Sequence, residues 1–151
     1  MLISVATLLN VILALAGSFS TTDEERYVMT LPEDVPVDYL GILSRQDVAS
    51  LLGKSRIGMA ILYASPNHME AHPTKLFEYM AAGMPIVASH FPLWIEIVEG
   101  NRCGICVDPN SLDSVENGVR SILDNIDLSR QMGQSRRQLV QSKYNWSAEQ
   151  E

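Results

Sequence analysis

Charge, cysteine and basic residues are all scarce where several functions would need them. The first twenty residues, MLISVATLLNVILALAGSFS, contain no Lys, Arg, Asp or Glu, and the first basic residue of the chain is Arg26. A secretory signal needs a positive start, so its absence weighs against export, although the Ala-Leu-Ala at 14–16 could serve as a cleavage site. The same run is at the lower limit for a membrane span and is broken by Ser4, Thr7 and Asn10. There are two cysteines, Cys103 and Cys106. No second pair and no nearby His complete a metal site, and a redox C-x-x-C would open a helix, whereas GICVD reads as a strand. Both cysteines are therefore expected to be small core residues, in a reducing compartment such as the cytoplasm. Lys and Arg number 11 against 18 Asp and Glu, a formal charge of −7 with a pI near 4.9. That excludes the basic face of a nucleic-acid binder but not a local site for a small anion. Repeats, low-complexity tracts and long linkers are also absent.

What remains is 151 residues, 46% of them apolar, enough for one domain with a proper core. Short apolar runs alternate with helical patterns. LISVATLL is expected to be a buried helix and VILALAG a buried strand closing on Gly17. VDYLG is a short strand. The stretch between them is polar, with room for one short helix. Ser44 and Asp47 form a capping-box pattern before a helix with Val48, Leu51 and Leu52 on one stripe. IGMAIL, PIVAS and GICVD are further strands, and YASPNHMEAH is expected to be a loop. PTKLFEYMAAG has Pro at its start and Gly at its end, the asymmetry of a helix. FPLWIEIVEG is a short helix with Trp94 in the core. Ser111 caps a helix whose apolar stripe is Leu112, Val115, Val119, Ile122 and Leu123, and a last amphipathic helix follows. Short strands that are apolar throughout predict an α/β fold, a Rossmann-like parallel sheet with helices on both faces. In that rhythm the opening stretch is the first helix-strand step.

In such a sheet ligands bind beyond the carboxyl ends of the strands. The loop after IGMAIL is the richest candidate. It is polar and ends at a helix N-terminus, where free N–H groups and the dipole favour an anion. Lys75 adds a full positive charge there. Glu70 precedes the helix and Glu78 lies inside it. Lys75 and Glu78 share one helix face, so on spacing alone a plain i, i+3 surface ion pair is the favoured reading of the same residues. His68 and His72 flank Glu70, but the order H-M-E-A-H is not the helical H-E-x-x-H of a zinc site, and Pro73 breaks it. No metal is expected. His90 sits where the sheet would meet the cleft.

The segment EAHPTKLFEYMAAGMPIVAS resembles the signature of retaining GT-B glycosyltransferases of the large family 4 (group 1), in the form found in bacterial surface-polysaccharide transferases. Its glutamates are separated by seven residues, and a Met-Ala-x-Gly-x-Pro-Val-type segment follows. LALAGSF, VDYLGILSRQDV, SRIGMAIL, FPLWIEIVE and CGICVDP are similar to the family too. The resemblance implies a nucleotide-sugar donor, UDP- or GDP-linked, and transfer to a glycan or lipid-linked acceptor with no cofactor. By analogy Glu78 would accept hydrogen bonds from the ribose hydroxyls. Glu70 and Lys75 would act at the reacting end, Glu70 on the donor sugar and Lys75 on the diphosphate. Ala71, His72, Thr74 and Leu76 would add donor contacts, largely through main-chain N–H groups. Gly41 and Ile42 would lie near the base.

The resemblance covers only the donor-binding, C-terminal half of such an enzyme, so 1–151 is expected to be one nucleotide-sugar-binding domain truncated at its front. The expected partner is an acceptor domain in cis or trans, with any membrane contact belonging to the full enzyme. A missing edge strand leaves room for a homodimer. Alone, the chain is expected to be weak or inactive as a transferase. The competing classes are a non-catalytic nucleotide-sugar or docking module, and a receiver or flavodoxin-like domain. The latter lack support, because neither an acidic cluster at strand ends nor a phosphate loop after the first strand is evident.

Overall fold

The computed structural model describes residues 1–69 and 74–143. The chain divides into two compact units, residues 1–50 and residues 51 onward.

The first unit holds α1 (Leu2–Leu9), β1 (Leu13–Leu15), α2 (Thr22–Met29) and β2 (Val37–Tyr39). β1 and β2 pair in parallel, Leu13 opposite Val37 and Leu15 opposite Tyr39. Asn10, at φ 52°, ends α1 by turning into the left-handed region. Thr21 and Glu24 close a reciprocal capping box on α2. The opening stretch does form a helix and a strand, but the expectation that both are buried on all sides is wrong. Val5 and Ala6 are buried, while Leu8 is 57% and Ile12 75% exposed. A helix this short buries one face only, and an all-apolar sequence does not say which.

α3 (Arg45–Lys54) crosses between the two units. Its predicted cap is present: the Asp47 N–H donates to Ser44 Oγ at 3.2 Å, and the Ser44 hydroxyl donates to Asp47 Oδ2 at 2.6 Å.

The second unit runs β3 (Gly58–Ala60), α4 (Pro66–Met69), α5 (Thr74–Ala81), β4 (Ile86–Ser89), α6 (Pro92–Val98), β5 (Gly104–Val107), α7 (Leu112–Leu123) and α8 (Ile126–Lys143). Its three strands are parallel, in the order β3-β4-β5. Every residue of the central strand β4 is buried, so both faces of the sheet are covered. Ile86 and Ala88 join Leu76, Met80, Phe91 and Trp94 in a cluster on one face. On the other, the Val87 and Val107 side chains lie against Gly118 of α7. Val115, Val119 and Ile122 of the predicted stripe are buried, whereas Leu112 is 37% exposed. Ser111 caps α7 through the Ser114 N–H as expected. Trp94 is fully buried, with the Phe91 ring edge-on at 4.9 Å.

One local expectation fails. α4 occupies part of what reads as a loop in YASPNHMEAH. Ser65 precedes Pro66 and accepts the His68 N–H on its hydroxyl at 3.2 Å and on its carbonyl at 3.0 Å. A Ser cap with Pro at the first helical position suffices for a single turn that is too short to show a period.

Candidate functional site

The parallel strands of each unit end in loops, and these loops carry the residues singled out above. In the first unit, β1 leads into Gly17 and β2 into Gly41. The Gly17 N–H donates to the Gly41 carbonyl at 2.7 Å, and the Tyr39 hydroxyl donates to the Gly17 carbonyl at 3.0 Å. Phe19 lies against the Tyr39 ring with centroids 4.7 Å apart. The two loops are thereby tied together, and next to them Ile42 is left 83% exposed. A large apolar side chain held out at a strand end is available to a ligand.

In the second unit the site centres on α5. Leu76 and Met80, four residues apart, are fully buried and fix the rotation of the helix. Tyr79 is half-buried and its hydroxyl donates to the Met59 carbonyl at 3.3 Å, which ties α5 to β3. Burial, with a smaller contribution from the neighbouring Glu78 carboxylate, raises the Tyr79 pKa. The opposite face presents Thr74, Lys75 and Glu78, all exposed. Gly83, at φ 71°, stops the helix: the Gly83 N–H reaches the Met80 carbonyl and the Met84 N–H the Tyr79 carbonyl, both at 3.0 Å. The chain then enters β4 directly. α5 thus runs back along the sheet, and its N-terminus belongs to the carboxyl-end side.

Among the described residues Lys75 and Glu78 make no ion pair with each other. Both charges are left for another partner, beside main-chain N–H groups that have no acceptor within the helix. Leu76 lies on the inward face of α5. Its side chain is sealed in the core, so a contact from position 76 goes through its main-chain N–H. Glu70, Ala71, His72 and Pro73 lie outside the described residues.

Around the strand ends, the His90 N–H and its Nδ1 both lie 3.0 Å from the Val107 carbonyl. His68 Nδ1 lies 3.0 Å from the Tyr63 carbonyl. Ser89 was not singled out by spacing. It is fully buried at the end of β4, where it bonds both main-chain groups of Leu62. The available signal was a hydroxyl ending a strand otherwise apolar on both faces, because a buried polar group must be partnered.

The C-x-x-C pair behaves as core. Cys103 is buried and Cys106 half-buried, and neither is joined in a disulfide. Burial, then the Glu99 carboxylate, pushes the Cys106 thiol up from 9.0 to about 12. The same carboxylate accepts the Cys106 main-chain N–H at 2.8 Å. A raised thiol favours the folded state below its unfolded value and loses that contribution as pH climbs through the folded one, here between 9.0 and about 12. Neither cysteine should react appreciably with a thiol-disulfide reagent at pH 8 while the chain is folded, and both should react in guanidinium. Labelling of Cys106 at the rate of a free thiol would contradict its assignment.

No helix among the described residues is long and apolar enough to cross a membrane.

The chain is similar to the sucrose synthase of Nitrosomonas europaea, 26% identical over 117 residues, which is 75% of this chain and 15% of that protein. Its fold matches that of a sucrose-phosphate synthase from Thermosynechococcus elongatus with a TM-score of 0.78, at 21% identity, over 97% of this chain and 38% of the other. It also matches Anabaena HepE, solved in complex with UDP and glucose, with a TM-score of 0.75 at 18% identity, over 95% of this chain and 40% of that one. The chain thus spans well under half the length of each. These likenesses establish the Rossmann-like α/β fold of GT-B glycosyltransferases. The family model "Glycosyl transferases group 1" matches residues 5–139, and the chain belongs to that family.

Proposed function

We propose that this chain is the donor-binding part of a retaining, family 4 glycosyltransferase. It would take a sugar from a UDP- or GDP-sugar for transfer to a glycan or lipid-linked acceptor in polysaccharide synthesis. The observation that carries this is the exposed face of α5 within a group 1 glycosyltransferase fold. There Lys75 and Glu78 stand unpaired with each other beside a helix N-terminus.

The chemistry of each group suits one part of such a donor. The Glu78 carboxylate can accept two hydrogen bonds from a ribose diol. The Lys75 ammonium and the N–H groups of Thr74 and Leu76, with those of Ala71 and His72, favour the diphosphate. Glu70 is assigned to the sugar hydroxyls. Gly41 and the exposed Ile42 are assigned to the base. Fixed dipoles and the ammonium would stabilise the diphosphate as it leaves, without a divalent cation. The acceptor would be held by a further domain, in cis or trans. Two cysteines outside any disulfide favour action in the cytoplasm.

Thermal unfolding with UDP-glucose, GDP-mannose and ADP-glucose tests this. UDP-glucose or GDP-mannose at a hundred times its Kd should stabilise the fold by about 2.7 kcal/mol. Unchanged melting with all three, together with no heat of binding by calorimetry, would sink the proposal.

A further inference from the structure

We infer that Ser89 is a positioning residue that sets the course of the connection from β3 to α4, and through it the hold on the donor sugar. The second half rests on the function proposed above. Ser89 is the polar side chain that is fully buried among the described residues. The main-chain ladder between β3 and β4 ends at Ala60 opposite Ala88. Just beyond it, the Ser89 hydroxyl donates to the Leu62 carbonyl at 2.7 Å and accepts the Leu62 N–H at 2.8 Å. One side chain therefore supplies both halves of a further rung, two residues past the strand. Packing cannot hold this stretch, because Leu62 is 40% and Tyr63 62% exposed. The hydroxyl sets where the chain leaves the sheet.

The tether continues in short steps. The Tyr63 carbonyl lies 3.0 Å from His68 Nδ1, and the Ser65 hydroxyl accepts the His68 N–H at 3.2 Å. These contacts hold α4, whose last residue, Met69, is followed in sequence by Glu70. Glu78 and Lys75 stand on α5, which is anchored separately by Leu76, Met80 and Tyr79. Loosening the first connection should therefore weaken the hold on the sugar more than the hold on the nucleotide.

The test compares the wild type with Ser89→Ala, which removes both bonds, and Ser89→Thr, which keeps a hydroxyl. Hydrogen exchange of segment 62–69 should speed up by about tenfold in Ser89→Ala, with β4 and α5 unchanged. Affinity for UDP-glucose, or for GDP-mannose if that is the pair that binds, should fall by about tenfold. Affinity for UDP or GDP alone should stay within about twofold, and Ser89→Thr should restore both readouts. Unchanged exchange in 62–69 would overturn the tether. Faster exchange with an equal loss for nucleotide and nucleotide sugar would overturn its role in holding the sugar. If the wild type binds no probe, the proposed function fails, and the exchange rates still decide the tether.

Discussion

Replacing Glu78 with alanine should weaken binding of the UDP- or GDP-sugar by about ten- to a hundredfold, while the melting temperature stays within about 3 °C of the wild type. The size follows from the bond type. Hydrogen bonds to a charged carboxylate contribute about 1.5–3 kcal/mol each when the partner is left unsatisfied. The stability follows from the position. Glu78 is exposed and has no ion pair among the described residues, so its removal leaves no buried group unpartnered. The helix is held from its other face by Leu76 and Met80. Calorimetry and thermal unfolding on the same variant separate the two effects. A loss of binding that tracks a loss of fold would assign Glu78 a structural role instead.

Gly104→Ala should cost the second unit more than about 3 kcal/mol, enough to unfold it in a domain of ordinary stability. Gly104 opens β5 opposite Ile86. A Cβ there would meet the Ile86 carbonyl oxygen, which is main chain of the central strand and cannot rotate away. Gly53→Ala is the matched control. Gly53 lies in α3 with open space where its Cβ would sit. Alanine there should stabilise the helix by about 0.5–1 kcal/mol. Denaturant unfolding of the two variants should therefore move in opposite directions. Similar midpoints would mean that β5 and β4 do not approach as closely as described.

The second unit was readable from sequence where composition left one solution. Strands apolar on both faces need cover on both faces, and β4 between α5 and α7 meets that need. Gly83 marked the end of α5, and Ser111 the start of α7, because both act through their own backbone or side chain. The misses have the opposite cause. Val5 and Leu8 are equally apolar, and only the rest of the fold makes one buried and the other exposed. α4 is held by a cap rather than by a period. Leu76 could be placed in the core by its spacing to Met80, yet the family motif runs through the same residue. Motif and packing impose separate demands on one position there. Ser89 carried a signal that spacing alone does not rank, a hydroxyl inside an apolar strand.

A ¹H–¹⁵N spectrum of the chain titrated with UDP, and then with GDP, tests the central claim most directly, because it reports where a nucleotide binds as well as whether it does. The account predicts that one of the two shifts the amides of Thr74, Lys75, Leu76 and Glu78 most strongly, with Gly41 and Ile42 following, and that Glu78→Ala removes these shifts at the same concentration. Saturable shifts confined to other parts of the chain, or none with either nucleotide, would contradict it.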